Sequence, residues 1–474
     1  MRLSAPTFFL FVFFILASST GGIQAQERNA VPRDLPAYGQ DKPLKLPHVA
    51  ERKLLNGLTL WLVERRGLPL VSMCLAVRGG SAMDPGDRRG LSAVLSATVS
   101  AGTRQRSSRQ IAEELQALGA DIDVGVGKDI TYITLSGLSS GADTLVKILA
   151  DTARNANFPE NEVRLETENA LQSIMASRSQ PSYDLNQVFY HQLFGEHPYA
   201  FVNPRPEVIR QVSRDDLLEA YRQRFQPDRA ILIMAGDLSA AEMEKLAIRH
   251  LGDWKSSMTR MADIPLAPSR ADPVLLLVDR PHSVQSTIYV GRPMPAANSP
   301  DEFPLQVANT IFGGTFGSRL TTNIREDKGY TYSPHASIND WARGGIFNVA
   351  ASVRNEVTAA TLVEIFYELD RLATTLPDND ELSRAKRYLK GRFLLANETP
   401  DSLTFTLAGY WINGKTPKDL TRYMPAIQKV RRRDVRAMGR KYLSSRKQVV
   451  AVSGDATIIR DQLSLLGEVK VSTP

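Results

Sequence analysis

Apolar and polar positions along this chain switch repeatedly between short unbroken or alternating runs and a spacing near 3.6. Thr59 to Val63, Leu70 to Val77, Ile130 to Leu135 and Ala230 to Ala235 are short runs rich in β-branched and large apolar residues, which predicts strands. Ala142 to Ala153 and Glu160 to Met175 carry apolar residues at helical spacing. The punctuation agrees. Asp84-Pro85-Gly86-Asp87 predicts a turn, Ser107 with Gln110 three residues on predicts a capping box, and Gly119 a helix stop.

The pattern then starts again. Pro265, Pro268 and Pro273 mark a linker over 256–273. Beyond it, Asp434 opens a helical stretch leading to a strand from Val449 to Val452 and to Gly454-Asp455, at the same step that separates Asp216 from Asp237. Thr144-Leu145-Val146 is echoed at Thr361-Leu362-Val363, 217 residues on, and Gly236-Asp237 at Gly454-Asp455, 218 residues on. Two nearly equal offsets predict a duplication into halves 49–255 and 274–474. Each half mixes long helices with alternating strands, so the expected fold class is α+β, a sheet covered by helices on one side.

The N-terminus breaks this pattern. Arg2 is followed by an apolar run from Phe8 to Ala17 and then by small and polar residues to Ala25, which reads as a secretory signal peptide over 1–25 and is short for a membrane span. An uncleaved anchor is the alternative. Cleavage predicts export, to the periplasm in a Gram-negative bacterium and otherwise to the medium, with no stable membrane span afterwards. Residues 26–48 read as an arm.

The chain has 474 residues and is 43% hydrophobic and 23% charged, a globular composition. Removing residues 1–25 takes away only Arg2 and lowers the formal charge from +7 to +6. The cluster Lys429, Arg431, Arg432, Arg433, Arg436, Arg440 and Lys441 reads as a solvated helix face, so no nucleic-acid partner is expected. Cys74, the single cysteine, lies in an apolar run and excludes an intrachain disulfide.

The candidate chemistry lies in Gly90 to Thr103. In an inverted zinc motif, H-x-x-E-H, two histidines one helical turn apart hold the metal, and the intervening Glu is the general base. Laid on the frame Gly-Leu-x-His-x-x-Glu-His-x-x-x-x-Gly-Thr, this stretch puts Ala93 and Ala97 at the imidazole positions and Ser96 at the base. Two methyl groups and a hydroxyl hold no zinc.

The segment from Lys53 to Thr103, through Leu55-Asn56-Gly57-Leu58-Thr59-Leu60 and Val77-Arg78-Gly79-Gly80-Ser81, resembles the opening of an M16 peptidase subunit of the pitrilysin, insulinase and mitochondrial processing peptidase family. Later blocks agree almost to the C-terminus. The resemblance implies duplicated α+β halves of the LuxS/mitochondrial-processing-peptidase-like kind, each an antiparallel-rich sheet covered by helices, closing over a chamber. It also implies a third metal ligand, the last Glu of Glu-x-x-x-x-x-x-Glu. Glu166 fits the first acidic position and Ser173 falls on the ligand. A register slip would place Glu166 or Glu168 there, and a lone carboxylate would still make no site. The family-like loop Phe194 to Tyr199 contains His197, which has no partner His at metal spacing and reads as structural.

In the second half, Phe312-Gly313-Gly314-Thr315-Phe316-Gly317-Ser318-Arg319-Leu320 leads to Ile324-Arg325-Glu326-Asp327-Lys328-Gly329-Tyr330-Thr331-Tyr332, similar to the family's Gly-Gly, Ser-Arg-Leu and Arg-x-x-x-x-x-x-Tyr block. In active members that Arg and Tyr hydrogen-bond the substrate and the developing oxyanion across the chamber, and Arg325 and Tyr332 match them. On spacing alone the pair also reads as a charged helix end and a tyrosine packed at a strand start. The resemblance therefore implies a subunit without its own cofactor, paired with a zinc-motif-bearing M16 subunit and acting on peptides or unfolded proteins. The alternative is a catalytically inert scaffold or peptide-binding protein.

Overall fold

The strand-like runs assemble into two six-stranded sheets. The first contains β1 (Val49–Lys53), β2 (Thr59–Glu64), β3 (Leu70–Arg78), β4 (Asp121–Val126), β5 (Ile130–Leu138) and β6 (Ala230–Gly236), in the order β1-β2-β6-β3-β5-β4. The second contains β7 (Leu275–Asp279), β8 (Gln285–Met294), β9 (His335–Trp341), β10 (Gly344–Arg354), β11 (Val449–Gly454) and β12 (Val469–Val471), in the order β12-β7-β11-β8-β10-β9. This computed structural model describes residues 46–257, 259 and 261–472, so the signal-peptide stretch 1–25 and the arm up to Lys45 lie outside the described residues. No helix among the described residues is long and apolar enough to cross a membrane.

The sheets repeat one topology. In each, a parallel pair (β2 with β6, β7 with β11) is followed by antiparallel steps to β3, β5 and β4 or to β8, β10 and β9. Only the outermost strand differs. β1 comes from before β2 and runs antiparallel to it, whereas β12 comes from the C-terminus and runs parallel to β7.

The helices of the first half include α1 (Leu91–Thr98), α2 (Ser108–Ala117), α3 (Ala142–Asn155), α4 (Glu160–Arg178) and α5 (Ser182–Phe194). The capping box at Ser107 and Gln110 forms, and Gly119 takes a φ of 57° at the end of α2. Where the sequence predicts helices on one side of each sheet, the structure adds one on the other side. α5 packs on β11, β8 and β7 of the second sheet, and the helix Pro400–Ile412, 218 residues further on, packs on β3 and β6 of the first. Each half thus lends a helix to its neighbour. This explains why Val71 to Val77 and all of β6 are buried without alternation, since a strand covered on both faces needs apolar side chains on both.

The exchange helices cover the far ends of the sheets only in part, Phe405 of the second reaching Tyr132 on β5 at a ring separation of 5.3 Å. On β5, Thr131, Ile133 and Leu135 are buried while Tyr132, Thr134 and Ser136 face outward; on β10, Ala351 and Val353 are buried while Ser352 and Arg354 are exposed. Those open ends are where a ligand can lie.

A polar joint fixes the two halves. Asp129 accepts the Tyr199 hydroxyl at 2.7 Å and the Ala342 N–H at 3.0 Å, and the Tyr199 oxygen accepts the Arg343 N–H at 3.0 Å. Trp341 packs its ring 4.8 Å from that of Tyr199. The linker is laid into the joint, with the Ala267 N–H on the Arg343 carbonyl at 2.7 Å. Burial pushes the Lys128 ammonium down to about 8 here. Asp340, beside Trp341 on β9, is pushed up to about 6 by burial, with Glu302 adding to the effect and Lys415 opposing it.

A second polar cluster seats α1. Asp84 accepts the N–H groups of Gly90 (3.0 Å) and Ser92 (3.1 Å) at the start of the helix, and pairs with Arg224 at 2.8 Å. Arg224 also donates to the Ser92 hydroxyl at 2.6 Å. The two charged side chains are 4% and 1% exposed, so neither has water as an alternative partner. Gly90 has a φ of 112°, and a Cβ there would meet Pro204 at 2.6 Å.

Removing one member of a buried pair strands the other, so Asp84→Ala is expected to lower unfolding stability in urea by about 3–5 kcal/mol; a loss below about 1 kcal/mol would contradict this seating. A carboxyl whose folded pKa lies above its unfolded value is best tolerated protonated, so stability falls as pH rises from the ordinary aspartate range through about 6. Asp340→Asn is therefore expected to be more stable than the parent by about 1–3 kcal/mol near pH 7.5, with the difference vanishing near pH 4.

Candidate functional site

The empty motif sits on α1, and the frame residues around it have jobs in the fold. Gly90 and Ser92 bind Asp84 at one end. At the other, the Thr103 hydroxyl donates to Asp151 at 2.7 Å, and Arg106 pairs with the same carboxylate at 2.7 Å. Between them, the positions that the resemblance assigns to metal ligation carry nothing that ligates. Ala93 is half-buried, Ala97 is exposed, and the Ser96 hydroxyl donates to the Ala93 carbonyl at 3.0 Å within its own helix.

On α4, which packs against α1, Ser173 and Glu168 are exposed and Glu166 accepts from Asn169 at 3.3 Å. These residues do not fit a zinc ion. Among the described residues no group of three or more His, Cys, Asp and Glu side chains is placed to hold a metal. His197 has both nitrogens engaged, Nε2 with the Pro265 carbonyl at 3.0 Å and Nδ1 accepting the Tyr199 N–H at 3.1 Å.

Arg325 and Tyr332 come together in the second half. Six residues, Thr322–Asp327, form a π-helical turn, a wider winding that recurs at functional positions. The segment before it is fixed by Arg319, whose guanidinium makes two bonds to Glu381 at 2.6 and 2.7 Å, and by the buried Leu320. The turn carries Arg325 over the Phe316 ring at 4.2 Å from its centroid, while its Nε faces Glu326 at 3.2 Å. Its terminal nitrogens make no hydrogen bond or ion pair among the described residues.

Tyr332 is 86% exposed and makes no hydrogen bond among the described residues. It does not pack at the start of a strand. Both side chains line one groove of about 880 Å³ over the open end of the second sheet. Its floor is the outward row of β8 and β10, where Gln285 faces Arg354, Thr287 faces Ser352 and Tyr289 faces Ala350. One wall, Gln180 to Ser182, comes from the first half between α4 and α5. The positions Ala93, Ser96, Ala97 and Ser173 do not line it.

The motif assigns Phe316 no role, although an aromatic within a run of glycine, threonine and serine is a signal. The basic cluster is largely locally engaged: Arg431 and Arg433 approach Asp434 at 3.2 and 3.9 Å, and Lys441 pairs with Asp301 at 2.6 Å. Cys74 is buried, which pushes its thiol up to about 12 and keeps it neutral and unreactive.

Residues 62–200 match the family model described as Insulinase (Peptidase family M16), and residues 211–389 match that described as Peptidase M16 inactive domain. An uncharacterized zinc protease of Rickettsia bellii is 25% identical over 348 residues, covering 73% of this chain and 83% of the relative. An uncharacterized zinc protease of Mycobacterium tuberculosis is 26% identical over 363 residues, covering 74% and 81%. Among solved structures, an M16 inactive domain from Pseudomonas fluorescens superposes with a TM-score of 0.81 at 23% identity, covering 86% of this chain and 98% of the other. A protease from Helicobacter pylori superposes with a TM-score of 0.82 at 17% identity, covering 86% and 100%. With the two family models matching residues 62–200 and 211–389, the chain belongs to the M16 peptidase family, as a peptidase-like member.

Proposed function

We propose that this chain is the zinc-free subunit of an exported two-chain M16 peptidase, completing the peptide-binding chamber and presenting Arg325 and Tyr332 to the active site of a partner that carries H-x-x-E-H. The observation that carries this reading is an α1 without ligating side chains at Ala93, Ser96 and Ala97 in a chain whose Tyr332 phenol and Arg325 terminal nitrogens, lining one groove, find no partner among the described residues. Tyr332 is 86% exposed and makes no hydrogen bond among the described residues, so its phenol is open to a ligand in the groove.

The chemistry of the pair is donation. A phenol O–H and the free Nη groups of a guanidinium stabilise negative charge growing on a peptide carbonyl oxygen, and they gain most when water is excluded and their geometry is set beforehand. Phe316 and Glu326 set it for Arg325, holding the guanidinium over the ring and engaging its Nε. Substrates are peptides or unfolded proteins. The short apolar N-terminal run supports export, to the periplasm of a Gram-negative bacterium or otherwise to the medium.

Pull-down of the tagged, exported chain is expected to bring an H-x-x-E-H partner with it. In that assembly Tyr332→Phe is expected to lower kcat about 10²- to 10³-fold with little change in KM, the cost of losing one oxyanion donor. An unchanged rate would favour an inert scaffold instead. Phe316→Leu, which removes the ring beneath the guanidinium, is expected to cost about two- to fivefold in kcat/KM, and Phe316→Tyr to restore it.

A further inference from the structure

The groove holding Arg325 and Tyr332 also has a charge. Among the residues lining it, the only carboxylate is Glu326, which Arg325 engages at 3.2 Å. Arg354, at the end of β10, is exposed on the same face and makes no ion pair among the described residues. Its neighbours on the floor, Thr287, Ser352 and Gln285, are small or polar and offer no cavity for a bulky apolar side chain.

The fold does not force this polarity. The matching open end of the first sheet, between β4, β5 and the helix Pro400–Ile412, is lined by Asp121, Asp123 and Asp401 with no base. Two positions built by one topology have taken opposite charges.

Register places the two ends together. β9 begins at His335, opposite Ala350, and runs antiparallel to β10, so the start of β9 and the end of β10 at Arg354 lie at the same end of the sheet. Tyr332, three residues before His335, and Arg354 both line the groove there. We propose that the groove selects peptides bearing an acidic side chain close to the bond served by Tyr332 and Arg325, and that Arg354 is the cation that reads it. This rests on the reading that the groove receives the substrate.

The test uses this chain alone and needs no partner. Two fluorescent peptides of small polar residues, with an uncleavable reduced bond at the centre, carry either Glu or Lys at the positions flanking it on each side. In fluorescence anisotropy at low salt, the Glu peptide is expected to bind about five- to tenfold more tightly, with the difference shrinking at about 0.5 M salt. Arg354→Glu is expected to invert the ranking. Arg460→Glu, an equal charge change on the helix Ala456–Ser464 away from the groove, is expected to leave it as it was.

Equal affinities, preference for the Lys peptide, binding of neither, or a ranking that follows Arg460→Glu as closely as Arg354→Glu would each overturn the inference. The Tyr332→Phe rate in the two-chain assembly reads the parent proposal separately, so failure of one is distinguishable from failure of the other.

Discussion

The constraint on which the rest of the structure depends is the reciprocal exchange of one helix between the halves. α5 covers the second sheet and Pro400–Ile412 covers the first, so neither half buries its own sheet on both faces without the other. The joint of Asp129, Tyr199 and the β9–β10 turn sets their angle. The exchange determines function as well as stability. Because each lent helix covers only part of a sheet, one end of each sheet stays open, and the second of these open ends is the floor on which Arg325 and Tyr332 stand.

Seen this way, the persistence of a zinc-site frame without zinc ligands has a physical cause. Gly90, Ser92 and Thr103 hold α1 in place through Asp84, Arg224 and Asp151, and a Cβ at Gly90 would collide with Pro204. Ala93, Ser96, Ala97 and Ser173 sit on the half-buried or exposed side, where substitution leaves the core undisturbed.

Much of this was legible in the sequence, for identifiable reasons. The unbroken run Val71 to Val77 reads as a strand because burial on both faces leaves no polar position, and the Ser107–Gln110 box marks a helix start by chemistry local to four residues. The duplication is legible because insertions between its halves are few, so offsets of 217 and 218 recur, the latter again at the exchanged helices. What periodicity could not give was the destination of those helices, since an apolar face does not say which sheet it will cover. Nor could it give the seat of Arg325. That depends on a π-helical turn, whose winding departs from 3.6 residues, bringing the guanidinium back over Phe316 nine residues earlier. The openness of the groove was equally hidden, because the alternation at Ser352 and Arg354 shows an exposed face without showing what else borders it.

The central claim is that the chemistry of an M16 peptidase has been divided, with the donors on this chain and the metal on another. The most direct measurement is the rate of peptide hydrolysis as this chain is titrated into a fixed amount of its purified H-x-x-E-H partner. The account predicts negligible turnover by either chain alone and a rate that rises and saturates at one chain per partner. Hydrolysis by this chain unaided, or a partner whose rate is unchanged by its addition, would contradict it.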